Sequence, residues 1–130
     1  MCKYITKVNL PESLEVVGIR AFYACRSLSG VTIPDNVKMI RDDAFFGCDN
    51  LSELKLGNSL EIIGMQAFYG CAALKSVECP GAIIEIGPSS FYGCKSLVSV
   101  DLGGTIGVGK DAFGDCPRLS PIDYSGVALE

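Results

Sequence analysis

Apolar residues return along this chain at a step far longer than any helix or strand period. Aligned on cysteine, the register runs Cys2, Cys25, Cys48, Cys71, Cys94 and Cys116, in steps of 23, 23, 23, 23 and 22 residues. Three positions after each cysteine stands an aliphatic residue: Ile5, Leu28, Leu51, Leu74, Leu97 and Leu119. Three further on come Val8, Val31, Leu54, Val77, Val100 and Ile122, and two beyond those Leu10, Ile33, Leu56, Cys79, Leu102 and Tyr124. Self-similarity at such a period marks an array of stacked units, each unable to bury its own apolar side alone.

Within a unit, stretches such as "LSGVTIP" and "LSELKLG" alternate apolar and polar residues and close on Pro or Gly. That pattern predicts a short strand ending at a corner. The middle residues Asn9, Thr32, Lys55, Glu78 and Asp101 then point away from their apolar neighbours. Stacking the units predicts a parallel ladder with strands roughly 4.8 Å apart, one sheet running through "NL", "VTI", "LKL", "VEC" and "VDL". A second apolar stretch follows each corner ("LEVVG", "VKMIR", "LEIIG", "IIEIG", "TIGVG") and leads into the boxes "AFYAC", "AFFGC", "AFYGC", "SFYGC" and "AFGDC". Each box is too short for a free-standing helix and reads as a single helical or 3₁₀ turn.

The unit, approximately L-x-x-[IVL]-x-[IL]-[PG]-x-x-[VIL]-x-x-[IV]-G-x-x-A-F-x-G-C-x-x, closely resembles the BspA-like leucine-rich repeats, which occur in many copies in surface proteins of some bacteria and certain protist parasites. The resemblance runs from Cys2 to about Tyr124. It implies an α/β-type repeat solenoid: a right-handed leucine-rich-repeat coil with one parallel β-sheet and short helical or 3₁₀ turns. The chain is then one domain over 1–130, with units near 2–24, 25–47, 48–70, 71–93 and 94–115 and a partial unit at 116–124. The last box departs from the pattern, with Gly114 and Asp115 where an aromatic and Gly usually stand.

Composition changes this picture little. In a chain of 130 residues the net charge is −4, and the 11 basic residues are scattered singly. That distribution offers no stripe to track phosphates, which argues against nucleic-acid binding. No apolar stretch approaches membrane-spanning length, and none at the start resembles a secretion signal. With no histidine, Ser–His–Asp and Cys–His machinery is unavailable. Asp42 and Asp43 form the densest carboxylate pair and read as a solvated corner or cap. "GGTIGVGKD" at 103–111 imitates a phosphate loop, but its spacing misses the Walker pattern and its glycines fall on corners that the repeat already requires. No catalytic residue and no cofactor is expected.

The cysteines carry the sharpest alternative. A structural zinc site takes four convergent ligands, usually from Cys-x-x-Cys pairs; no such pair exists here, and a stacked column points its thiols in parallel, so no metal is expected. Neighbouring thiols at ladder spacing sit wider than the roughly 3.5–4.5 Å between Cβ atoms that a disulfide takes. Cys25, Cys48, Cys71, Cys94 and Cys116 are therefore expected as buried reduced thiols, with Cys2 the readiest to react. Phe22, Phe45, Phe68, Phe91 and Phe113 are expected to stack beside them as core aromatics.

Function is expected from residues free of packing duty. The primary candidate is a protein-binding row at Asn9, Thr32, Lys55, Glu78 and Asp101; the rival is an aromatic strip at Tyr23, Phe46, Tyr69 and Tyr92 on one flank. The resemblance implies a non-enzymatic protein-interaction module of a cell-surface or adhesion-type protein, with a protein partner and no membrane insertion. The alternative is a purely structural segment of a longer rod. Exposed strand edges at both ends, the last at Ile122 to Tyr124, raise the expectation of end-to-end self-association. Asn50-Leu51-Ser52 fits the N-glycosylation pattern.

Overall fold

A computed structural model of the chain describes every residue except Met1, Lys3 and Ala82. The chain winds as a right-handed parallel β-solenoid, each coil contributing two very short strands. The front strands are β1 (Lys7–Val8), β3 (Gly30–Thr32), β5 (Glu53–Lys55), β7 (Ser76–Glu78) and β9 (Ser99–Asp101). The back strands are β2 (Val16–Val17), β4 (Met39–Ile40), β6 (Ile62–Ile63), β8 (Glu85–Ile86) and β10 (Gly107–Val108), with β11 (Ala128–Leu129) closing the series. All pairings are parallel, and in-register partners such as Thr32 and Lys55 are separated by one repeat.

The expectation of one sheet is corrected twice. The second apolar stretch of each unit is itself a strand, and these strands form a continuous six-stranded ladder from β2 to β11. The front strands are divided: β1, β3 and β5 pair with one another, β7 pairs with β9, and no pairing joins β5 to β7. At the C-terminal end, Ile122 to Tyr124 forms no strand; the outermost strand is β11, paired to β10.

Expected helical turns are also overturned. Among the described residues there is neither helix nor 3₁₀ turn, and the boxes show why. Arg20, Asp43, Gln66, Ser89 and Asp111, each just ahead of a box, have φ between 54° and 58°. The residue before each box cysteine (Ala24, Gly47, Gly70, Gly93, Asp115) is left-handed as well, at φ 50° to 76°. A right-handed helix cannot pass through such residues. The amides consequently alternate. Ala44, Phe46 and Cys48 donate within their own turn to Arg41, Asp43 and Phe45, whereas Asp43, Phe45 and Gly47 donate across to Met65, Ala67 and Tyr69. Every second N–H is spent on the neighbouring coil, so none is left for an i→i−4 series.

The core is a set of columns, one side chain per coil. Leu28, Leu51, Leu74 and Leu97 are fully buried, as are Ile40, Ile63 and Ile86. Their burial supplies the main drive for stacking. The single step of 22 residues arises at the corner after β9. Leu102 and the next buried position, Thr105, are three apart, whereas Ile33 and Val37, or Leu56 and Leu60, are four apart.

Candidate functional site

The front row and the flank strip are both built by the repeat, but they offer different surfaces. On the front, Asn9, Thr32, Lys55, Glu78 and Asp101 are all exposed and stand side by side, one per coil. Asn9, Thr32 and Lys55 line a shallow groove of about 510 Å³ with Lys7, Glu53 and Ser76. Lys55 also borders a second depression, of about 390 Å³, shared with Glu78, Asp101, Asn58 and Pro80. That second depression lies over the break between β5 and β7. No ion pair joins Lys55 to Glu78 among the described residues, so both charges face solvent. Asp101 accepts the Gly103 amide at 2.9 Å and so also fixes its own corner.

On the flank, the rings of Tyr23, Phe46, Tyr69 and Tyr92 stack face to face, with centroids 5.0, 4.8 and 5.2 Å apart. Each ring covers its neighbour's face, so the strip presents ring edges and hydroxyls. Tyr23, at the open end, is 40% exposed, and the Arg20 guanidinium lies 5.6 Å from its ring centre. At the other end Tyr92 lies over Gly114, where an added Cβ would come within 2.7 Å of the ring. Gly114 thus gives the last ring a seat, and the strip holds no open slot for an inserted base or sugar.

Beside the strip runs the inner stack of Phe22, Phe45, Phe68, Phe91 and Phe113, with centroids 5.0 to 5.4 Å apart and nearly parallel planes. Phe45, Phe68 and Phe91 are fully buried; Phe22 and Phe113, at the ends, are partly buried.

Cysteine follows each Phe because the box needs a small apolar group that can donate. The thiols of Cys48, Cys71, Cys94 and Cys116 donate to the carbonyls of Phe22, Phe45, Phe68 and Phe91, one coil back, at 3.1 to 3.5 Å. Burial pushes the Cys48 thiol up to about 11, does the same to Cys79 in its front-side column, and raises Cys71 well above the ordinary thiol range. At neutral pH these groups are un-ionised and poor nucleophiles. The expectation of an all-reduced column fails at its first rung: Cys2 and Cys25 are joined as a disulfide, with Cα atoms 5.1 Å apart. Cα atoms at that separation fall inside the range that a disulfide takes.

The remaining singled-out residues serve the stack. Asp42 accepts the Met65 amide at 3.0 Å, Asp43 pairs with Arg20 at 3.6 Å, and the Asn50 side-chain amide donates to the Arg26 carbonyl at 2.6 Å. Arg26–Asp49 and Lys95–Asp115 are further bridges between neighbouring coils. Among the described residues no group of three or more His, Cys, Asp or Glu is arranged to hold a metal ion, and no helix is long and apolar enough to cross a membrane.

The comparisons agree with this architecture. The model of the BspA type leucine rich repeat region matches residues 1–122 in 6 copies. No curated protein matches the chain. Among solved structures, the leucine rich repeat protein of T. pallidum is 27% identical, with a TM-score of 0.68 over 95% of this chain and 72% of that one. A leucine rich cell surface protein of Faecalibacterium prausnitzii is 29% identical, with a TM-score of 0.80 over 93% of this chain and 40% of its own length. A leucine-rich repeat protein of Bacteroides ovatus is 25% identical at a TM-score of 0.73, and this chain spans 42% of it.

Proposed function

The chain belongs to the BspA-type leucine-rich repeat family, and from that premise we propose that it is a non-enzymatic protein-interaction module of a cell-surface protein, meeting its partner on the front strand face. One observation carries the reading. Five exposed side chains of differing polarity and charge, Asn9, Thr32, Lys55, Glu78 and Asp101, stand in one row above two adjoining depressions. A solenoid recognises through such a row because its side chains are free of packing. The surface location follows the F. prausnitzii relative, which is itself described as a cell surface protein. The row lacks the Trp, Tyr and Arg cluster of a strong hot spot, so affinity for a partner is about micromolar or weaker.

The test is binding of the whole chain to a panel of extracellular-matrix and cell-surface proteins, repeated with the double variant Lys55→Glu, Glu78→Lys. Saturable binding lost in the double variant supports the front face. Binding that survives it but fails in Tyr69→Ala moves the site to the flank. No saturable binding to any member overturns the interaction reading for this chain and leaves a structural segment of a longer rod.

A further inference from the structure

Where β5 meets β7, the front ladder lacks a rung. Between β3 and β5 the Ser52 and Glu53 amides both donate to the Ser29 carbonyl, and the Ile33 amide donates to that of Lys55. One repeat later, among the described residues, the Lys75 and Ser76 amides make no bond to Ser52, and the Leu56 amide makes none to Glu78. Beyond the gap the pattern resumes, with Val98 donating to Lys75 and Cys79 to Asp101. Leu56, Ser76 and Glu78 of the open rung all line the second front depression. Backbone groups that a sheet normally consumes are thus left there for solvent or a ligand.

The side chains around this depression are unpaired as well. Opposite charges on neighbouring coils bridge elsewhere, at Arg20–Asp43, Arg26–Asp49 and Lys95–Asp115. Lys55 and Glu78 likewise stand one repeat apart, yet they form no such bridge among the described residues. Asp101 spends Oδ1 on the Gly103 amide, and the Asn58 side chain offers both donors and an acceptor. Apolar surface comes from Pro80 and from Leu54, which is half-buried where Val31 and Val77 of the same column are buried.

That lining selects a ligand. An anion meets the carboxylates of Glu78 and Asp101, and a cation meets the Lys55 ammonium. A neutral molecule rich in hydroxyls meets neither repulsion, because each hydroxyl both donates and accepts. Its oxygens suit the ammonium and the spare amides, its O–H groups suit the carboxylates, and its C–H face suits Leu54 and Pro80. The depression, about 390 Å³, falls within the roughly 300–1,000 Å³ of small-molecule sites. We propose that the depression over the open rung is a binding site for a neutral saccharide. The proposal rests on the front-face reading and specifies the partner there as a protein that carries a glycan.

The first arm of the test titrates the whole chain with the methyl glycosides of glucose, galactose and mannose and with N-acetylglucosamine, followed by amide NMR. At least one sugar should shift the Leu56, Ser76 and Glu78 signals saturably, with a Kd of about millimolar, while Ile63 and Ile86 on the back ladder stay in place. Glu78→Ala, at an exposed position, should weaken that binding at least about tenfold. No saturable shift with any of the four sugars overturns the proposal, as do shifts confined to other faces. A saturable shift with glycine as strong as that with the sugars also overturns it, since a zwitterion would then fit as well. The second arm separates a protein-borne glycan from a free sugar. Any surface protein that binds the chain is tested again after enzymatic removal of its glycans, and its binding should be lost. Binding that survives deglycosylation but fails in the double variant Lys55→Glu, Glu78→Lys keeps the front-face reading and overturns the saccharide proposal. A saturable sugar shift with no surface protein bound does the reverse: the saccharide site stands, for a free sugar, and the protein-interaction reading falls.

Discussion

Along the front of the molecule, backbone pairing stops between β5 and β7; along the boxes, cross-coil amide bonds continue coil after coil from Arg20 to Gly114. The front strands carry side chains as different as Thr32, Lys55 and Glu78, whereas the boxes repeat an aromatic and a thiol at almost every turn. Cohesion and variation thus sit on different sides of each coil. The box side combines ring stacking, thiol-to-carbonyl bonds and alternating amides in one column, so the front can lose a rung of pairing without the stack dividing there.

The strongest way to break this contrast is Phe68→Ala. Phe68 is fully buried between Phe45 and Phe91, and its loss should cost about 3–5 kcal/mol, read as a fall in the denaturant midpoint. A cost under about 1 kcal/mol would remove the inner stack from the account of cohesion. Gly70→Ala is milder. At φ 71° an Ala is strained but not excluded, since Ala24 holds the equivalent place at φ 53°; about 1 kcal/mol of lost stability is expected in the same titration. Ser90→Ala should run the other way. Ser90 occupies the fully buried column of Ala44 and Ala67, and its hydroxyl has no hydrogen-bond partner, so the methyl should stabilise by about 1 kcal/mol. The smallest effect belongs to the front: Lys55→Glu with Glu78→Lys should shift the midpoint by less than about 0.5 kcal/mol, as expected of exposed side chains. A larger loss would show that the front row bears on folding.

The columns were legible in the sequence because each needs only one small set of residue types at a fixed step. The phase of Lys55 and Glu78 was legible for the same reason, since period-two alternation names the outward residue. The back ladder was harder to see: two-residue strands such as Glu85–Ile86 are too short for alternation to register. The box backbone gave half a signal. Gly47, Gly70 and Gly93 advertise a left-handed residue, but Arg20 and Gln66 do not, and these others forbid the helical turn. Nothing around Lys55 and Ser76 announces the break between β5 and β7, because pairing depends on backbone positions that no residue type encodes. The first disulfide escaped because ladder spacing was weighed against the Cβ separation alone, whereas Cα atoms 5.1 Å apart lie inside the range that a disulfide takes.

The alternating amides also set how the molecule answers to force. Chain ends lie at opposite ends of the stack, as β2 and β11 are the outer strands of the back ladder. Tension between the ends is therefore directed along the solenoid axis, parallel to the cross-coil bonds and the ring stacks, and it opens them in sequence instead of shearing them together. Coils should peel singly from an end, each releasing 22 or 23 residues, about 75 Å of extended chain, while the remaining coils stay wound. A partner held on the front face would be paid out on a lengthening tether and not dropped in one event.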